Sequence, residues 1–237
     1  MTDYSVKISG RAKHVSLKIT PAEGLVVIVP RGFKNHEVLD ELVESRSAWI
    51  KKTLARYANE PRLQTNTELP DLLNFLAIDE QWSVDYIKTA ASSVRAVEAE
   101  PMRLKLMGNI NDNEACAAAL RRWLMRYAKE KLLPQLKKAS QACGLTYSKA
   151  TIRGQRTRWG SCSSKGSINL NYQLLFVTPA MMNYVLVHEL CHTVYLNHSI
   201  SFYKLLESYI PDYQQCEFQL KQAWRSMPAW LYRLQTS

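Results

Sequence analysis

The sequence has no C-x-x-C pair, and its five cysteines (Cys116, Cys143, Cys162, Cys191 and Cys216) are odd in number and widely spaced over 237 residues. This excludes a disulfide framework and points to free thiols in a reducing compartment. Met1 to Thr20 lacks the continuous apolar stretch of a signal peptide, so a cytoplasmic protein is expected. There is no internal repeat and no low-complexity tract. A stretch without charge, Ile168 to Val187, runs for twenty residues, but Asn169, Asn171, Gln173, Asn183 and Pro179 would leave polar groups in hydrocarbon. It reads as a buried strand followed by a buried helix, with no part in a membrane. Acidic residues are also missing where they would matter: from Lys131 to His188 there is no Asp or Glu, against eight lysines and arginines.

What is present, 46% hydrophobic and 22% charged residues of both signs, is the composition of a globular chain and excludes disorder and fibre. The acid-free segment carries most of the net charge of +10. Within it, alternation puts Arg156 and Arg158 on one face of an extended strand, with Arg153 nearby, where guanidinium groups can grip a phosphate or a carboxylate. Arg153, Arg156 and Arg158 are therefore candidate substrate-binding residues. The segment also admits an anionic or nucleic-acid partner.

Alternation over Val6–Ser9 and Val15–Thr20 and the apolar run Leu25–Val29 predict a small sheet, followed by one helix with Leu39, Val43, Ile50, Leu54 and Tyr57 on one face. Strand texture returns between Leu72 and Gly108. Near Asn111 the composition turns to Ala, Leu, Arg and Lys, which predicts a helix from Asp112 to Leu133 and a second from Pro134 to before Gly144. A domain boundary is expected there, between a β-rich region 1–110 with one helix and a region 111–237. Thr151–Ile152 and Ile168–Phe176 read as strands. Thr178 as N-cap and Pro179 as first residue launch a mostly apolar helix to about Leu196.

Three of the five histidines fall inside that helix and just after it: His188-Glu189-Leu190-Cys191-His192, then His198. Positions 188 and 192 are one helical turn apart, so both imidazoles project from one face at the separation a tetrahedral zinc needs, with Glu189 beside them toward the open fourth position. His198 can complete the set if Asn197, which tolerates a left-handed backbone, turns the chain back. The ligand spacing is that of metzincins, but Tyr195 stands where their pattern has Gly. Cys191 reads as an apolar filler of a buried helix rather than as a soft ligand.

The runs Arg158-Trp159-Gly160-Ser161-Cys162-Ser163, Ile168-Asn169-Leu170-Asn171 with Leu174 and Pro179, Tyr184 to His192, and Asn197-His198-Ser199 with Phe202 resemble the YgjP-like family of predicted zinc metallopeptidases, close to the SprT-like and WLM groups. The similarity is strongest from Arg153 to Phe202 and extends more loosely to the N-terminal sheet and Trp49-Ile50. It implies an α+β fold, with a zincin-like catalytic domain over 111–237 and a β-rich N-terminal region, zinc on His188, His192 and His198, and Glu189 as general base.

Three functions compete on these residues. A zinc metallopeptidase, with a peptide substrate, follows from H-E-x-x-H and from a strand, Ile168–Leu174, that could pair with it. A nucleoside triphosphate pyrophosphatase follows from the basic segment. A nucleic-acid binder with structural zinc is weaker, because structural sites usually have four protein ligands and only three are seen. Arg158, Arg156 and Tyr195 are candidate donors to the transition state.

Overall fold

A computed structural model describes residues 3–20, 24–35, 37–59, 69–155, 157–224 and 227–231. Among them the fold is α+β, as expected, with six α-helices and three mixed sheets. The chain divides into two compact units, Met1–Thr65 and Asn66–Ser237. No described helix is long and apolar enough to cross a membrane.

In the first unit, β1 (Tyr4–Ser9), β2 (Ser16–Thr20) and β3 (Gly24–Pro30) form a sheet in the order β1-β3-β2, with β3 parallel to β1 and antiparallel to β2. The central position explains why β3 is the apolar run: Leu25, Val26, Val27 and Val29 are all buried. The single predicted helix is two, α1 (Glu37–Ser45) and α2 (Ser47–Asn59). It breaks at Arg46, where the Ser45 hydroxyl donates to the carbonyl of Leu42 at 2.8 Å and offers the backbone an alternative partner. Leu39, Val43 and Ile50 nevertheless pack on the sheet as their spacing predicts, with Leu54 beside them. The side chain of Tyr57 lies outside the described residues.

The second unit contains β4 (Leu72–Phe75), β5 (Glu80–Lys88), β6 (Arg95–Ala99) and β7 (Arg103–Gly108), in the order β4-β5-β7-β6. The long helix α3 (Asn113–Cys143) follows. The Asp112 carboxylate caps it, accepting from the N–H groups of Glu114 and Ala115 at 3.0 and 2.9 Å, and Gly144 ends it with φ 65°. Pro134 does not start a new helix but sits inside this one. Ala128, Leu132 and Leu136 are fully buried on either side of it, so packing holds the axis although the proline removes one backbone bond.

The expected boundary near Asn111 falls inside this second unit. Aromatic packing explains the shift: Trp82 lies 5.1 Å from Trp123 and Phe75 5.4 Å from Tyr127, centroid to centroid, welding the sheet to α3. Phe75 also meets Phe176 at 5.3 Å, which ties the same sheet to the segment that precedes the histidine helix. Beneath this cluster Glu80 accepts from Lys131 Nζ at 2.5 Å, from Trp82 Nε1 at 3.3 Å and from the Tyr127 hydroxyl.

The third sheet runs β8-β10-β9, from β8 (Lys149–Arg153), β9 (Gly160–Cys162) and β10 (Ser167–Asn171), with β10 parallel to β8 and antiparallel to β9. The strand predicted to reach Phe176 stops at Asn171, whose Oδ1 accepts from the N–H of Gln173 at 3.1 Å and starts a 3-10 turn over Tyr172–Phe176. Helices α4 (Pro179–Cys191), α5 (Ile200–Tyr209) and α6 (Tyr213–Ala223) complete the unit.

Burial raises the Glu80 carboxyl, but the bonds from Lys131, Tyr127 and Trp82 outweigh it and hold it below the usual carboxylate range. A lowered folded-state value stabilises the protein above the unfolded value and is lost as pH falls through the folded one. Glu80→Gln should therefore lose about 1–2 kcal/mol at pH 7 and progressively less as the pH falls below the usual carboxylate range, read by urea denaturation along that series.

Candidate metal centre

Thr178 caps α4, its hydroxyl accepting from the N–H of Met181 at 3.3 Å, and Pro179 opens it as predicted. The helix is apolar on nearly every side: Met182, Tyr184, Val185, Leu186, Val187, Leu190 and Cys191 are all buried. Its pitch carries His188 and His192 on one face. It ends at Cys191 rather than near Leu196, and His192 is its C-cap. Thr193 N–H then bonds the carbonyl of Leu190 at 2.9 Å and Tyr195 N–H that of Cys191 at 3.0 Å, and these turns reverse the chain. Asn197 does not supply the reversal, since Asp79 and Met102 are the only described non-glycine residues with positive φ.

The reversal brings His198 back to the helix. Its Nε2 lies 3.1 Å from Nε2 of His188, which lies 3.2 Å from Nε2 of His192. Nδ1 of His192 donates to the carbonyl of Tyr195 at 2.9 Å, which leaves Nε2 with a bare lone pair. Phe202, fully buried on α5, braces the group, with its ring centroid 5.0, 4.5 and 4.9 Å from those of His188, His192 and His198. Burial, with the neighbouring imidazoles, pushes His188 down to about 3, and burial lowers His192, so these rings stay neutral and able to donate to a cation. Three converging imidazole nitrogens fit a metal ion: the two spacings from His188 are close to the edge of roughly 3.3 Å that nitrogen–metal bonds of about 2.0–2.1 Å give a tetrahedron, and all three atoms lie within 4.8 Å of one another. Among the described residues these three histidines are the group able to hold a metal. Cys191 takes no part: it is fully buried, and its thiol is pushed up to about 12, burial first.

Glu189 is 5% exposed, and its Oε2 is buried without a hydrogen-bond partner among the described residues. Burial raises its carboxyl to about 8 against an opposing effect of the Arg158 charge. Gly160 allows this placement, because a Cβ there would sit 2.5 Å from Glu189 Oε1 and 2.7 Å from its Cγ. Asn171 fixes the loop before Gly160, donating from Nδ2 to the carbonyls of Gln155 at 2.7 Å and Arg158 at 3.0 Å. Arg158 is thus held in a loop, not on a strand. Arg153 is exposed on β8, the sheet edge opposite β9. Arg156 lies outside the described residues.

A cleft of about 340 Å³ opens beside the histidines, lined by Arg158, Trp159, Gly160, His188 and Glu189 from the motifs. Tyr184 and Val185 of α4 and Glu217, Leu220, Lys221 and Trp224 at α6 form the rest of its wall. None of the α6 residues was singled out from the sequence, because nothing local to them marks a site. Strand β9 borders the same region. Trp159 O accepts from Asn171 N–H at 2.8 Å and Ser163 N–H donates to Ser167 O at 3.0 Å. The antiparallel alternation therefore turns the backbone groups of Gly160 and Cys162 away from β10, toward the free edge.

The YgjP-like metallopeptidase domain matches residues 13–223. The chain belongs to the YgjP-like family. Membership makes it a metal-dependent hydrolase of the metallopeptidase class. Two solved structures are similar to this YgjP-like chain over 39% of its length. One is the metallopeptidase zymogen abylysin of Pyrococcus abyssi, at 26% identity over 93% of that chain with a TM-score of 0.36. The other is the zymogen jannalysin of Methanocaldococcus jannaschii, at 19% identity over 96% with the same TM-score of 0.36. No curated protein matches the sequence.

Gly160→Ala should cost about 1–3 kcal/mol of stability through the collision with Glu189. Adding Glu189→Ala should return much of that loss, a coupling that thermal melts of the two single variants and the double variant would measure.

Proposed function

We propose that this YgjP-like protein is a zinc metallopeptidase whose unit 66–237 carries zinc on His188, His192 and His198, with Glu189 as general base. The observation that carries the reading is the convergence of three imidazole nitrogens, one of them, on His188, lining the same cleft as the buried carboxyl of Glu189. Zinc, when bound, supplies a Lewis acid that brings the pKa of an attacking water to about 7. Glu189 takes the proton of that water at Oε2, the oxygen with no other partner. Burial alone raises this carboxyl, and the charge of a bound cation beside it would favour the ionised form, in which it can take a proton and hand it on to the departing amine. The free edge of β9 offers the backbone groups of Gly160 and Cys162 to an extended peptide, which would add as a further strand next to Glu189. Arg158 stands at the cleft as a donor to developing negative charge. Tyr195 is not the donor favoured, because it is exposed and not among the described residues that line the cleft.

The cleft itself argues against a nucleotide. A triphosphate needs several unpaired cations, whereas here Lys221 is bound to Glu217 at 2.8 Å and Glu189 adds another carboxylate, so Arg158 stands as the single unpaired cation among the described lining residues. Free thiols at all five cysteines suit a reducing, cytoplasmic setting.

His188→Ala, His192→Ala and His198→Ala should each abolish stoichiometric zinc, read by metal analysis of the purified variants. Full occupancy in His198→Ala would remove it from the ligand set. Glu189→Gln should keep zinc and lose about 10²- to 10⁴-fold in kcat on an unfolded protein. Wild-type activity in that variant would remove Glu189 from the base role, and release of pyrophosphate from a nucleoside triphosphate by the wild type would restore the nucleotide reading.

A further inference from the structure

The wall of the cleft away from the histidines is built by side chains that no metal chemistry requires. Tyr184, Val185 and Leu220 are 5%, 3% and 4% exposed. Trp159 lies against Trp224 with ring centroids 4.0 Å apart and planes inclined by 25°. Together they make an apolar socket lined at one side by His188 and Glu189. The ion pair between Lys221 and Glu217, with the Lys221 side chain 69% exposed, neutralises its own charge at the solvent side.

We infer that this socket selects the substrate: it takes one large apolar or aromatic side chain of a peptide, at a position flanking the bond to be cut, and α6 supplies the discrimination through Leu220 and Trp224. The inference rests on the peptidase reading and adds the substrate's chemistry to it. At about 340 Å³ the space is at the small end of ligand pockets, enough for a single side chain with its flanking backbone. A charged side chain seated between indole and leucine would be desolvated there, because Lys221 and Glu217 already satisfy each other and Arg158 and Glu189, at the other side of the cleft, are the groups the reaction itself uses. A small side chain would leave the socket unfilled and forfeit its apolar contact. Because the same cleft holds Glu189, a side chain seated there fixes which peptide bond faces the base.

The test is a set of blocked hexapeptides differing at one position, assayed with the zinc-loaded full chain for kcat/KM and for the bond cleaved. Phe, Leu or Met at that position should exceed Ala by about tenfold or more, and Asp by about a hundredfold. Leu220→Phe narrows the socket and should reverse the order of Phe and Ala. Should that buried variant fail to fold, Lys221→Glu changes only a solvent-exposed side chain and should raise Lys-containing peptides severalfold relative to Asp-containing ones. Binding without turnover gives a separate reading: the Glu189→Gln variant should bind the Phe peptide about tenfold more tightly than the Ala peptide, followed by the fluorescence of the Trp159–Trp224 stack. Cleavage that is indifferent to the side chain, or a preference that neither variant moves, overturns the socket and leaves the peptidase standing. Cleavage of no peptide by the zinc-loaded wild type overturns the peptidase reading and the socket with it.

Discussion

The imidazoles of His188 and His192 meet at 3.2 Å because both hang from one turn of a helix that cannot rotate. α4 is held against rotation by burial of nearly its whole circumference, so a shift of one residue would carry a histidine into the core and an apolar side chain into the cleft. The other parts of the site depend on that fixed face. His198 reaches it because the helix stops at Cys191, and the carbonyl released by the turn, that of Tyr195, orients His192. Phe202 fills the space behind all three rings and so prevents their collapse on one another. Glu189 is buried by the same helix and can be so only because β9 presents Gly160, with no Cβ, at the point of closest approach.

The centre was legible in the sequence because its information is local. A period of four, a cap at Thr178 and a proline at 179 are enough to place His188, Glu189 and His192, and the return of His198 needs only a short turn. The backbone of that turn was not legible: Asn197 could take a left-handed conformation, but side-chain and backbone bonds at Leu190 and Cys191 reverse the chain earlier. Pro134 misled for the opposite reason, since its local cost is real but is overridden by Leu132 and Leu136 in the core. The compact units divide before the second sheet and not at the change of composition near Asn111, because alternation announces strands without saying what covers them. Only the contacts of Phe75 and Trp82 with Trp123 and Tyr127 assign the second sheet to the long helix. The socket on α6 had no local sign at all, as Leu220 and Trp224 become part of a site only through tertiary contact with α4 and Trp159.

The basic segment shows how far composition can be trusted for substrate chemistry. Its eight cations were read as a sign of phosphate, yet their positions scatter the charge. Lys131 is engaged with Glu80 at the aromatic cluster. Lys137, Lys138, Lys149, Arg153 and Lys165 are exposed and absent from the described lining of the cleft, to which Arg158 alone of the segment contributes. Net charge is a sum over the surface and acts through solvent over roughly a Debye length. A reacting group responds instead to the few dipoles and charges that share its low-dielectric pocket, where Arg158 is felt by Glu189 and the remaining cations are not among the causes of its shift. The absence of acids along the segment therefore bears on what the protein meets in solution, while the chemistry it performs is set by a cleft whose walls are mostly apolar.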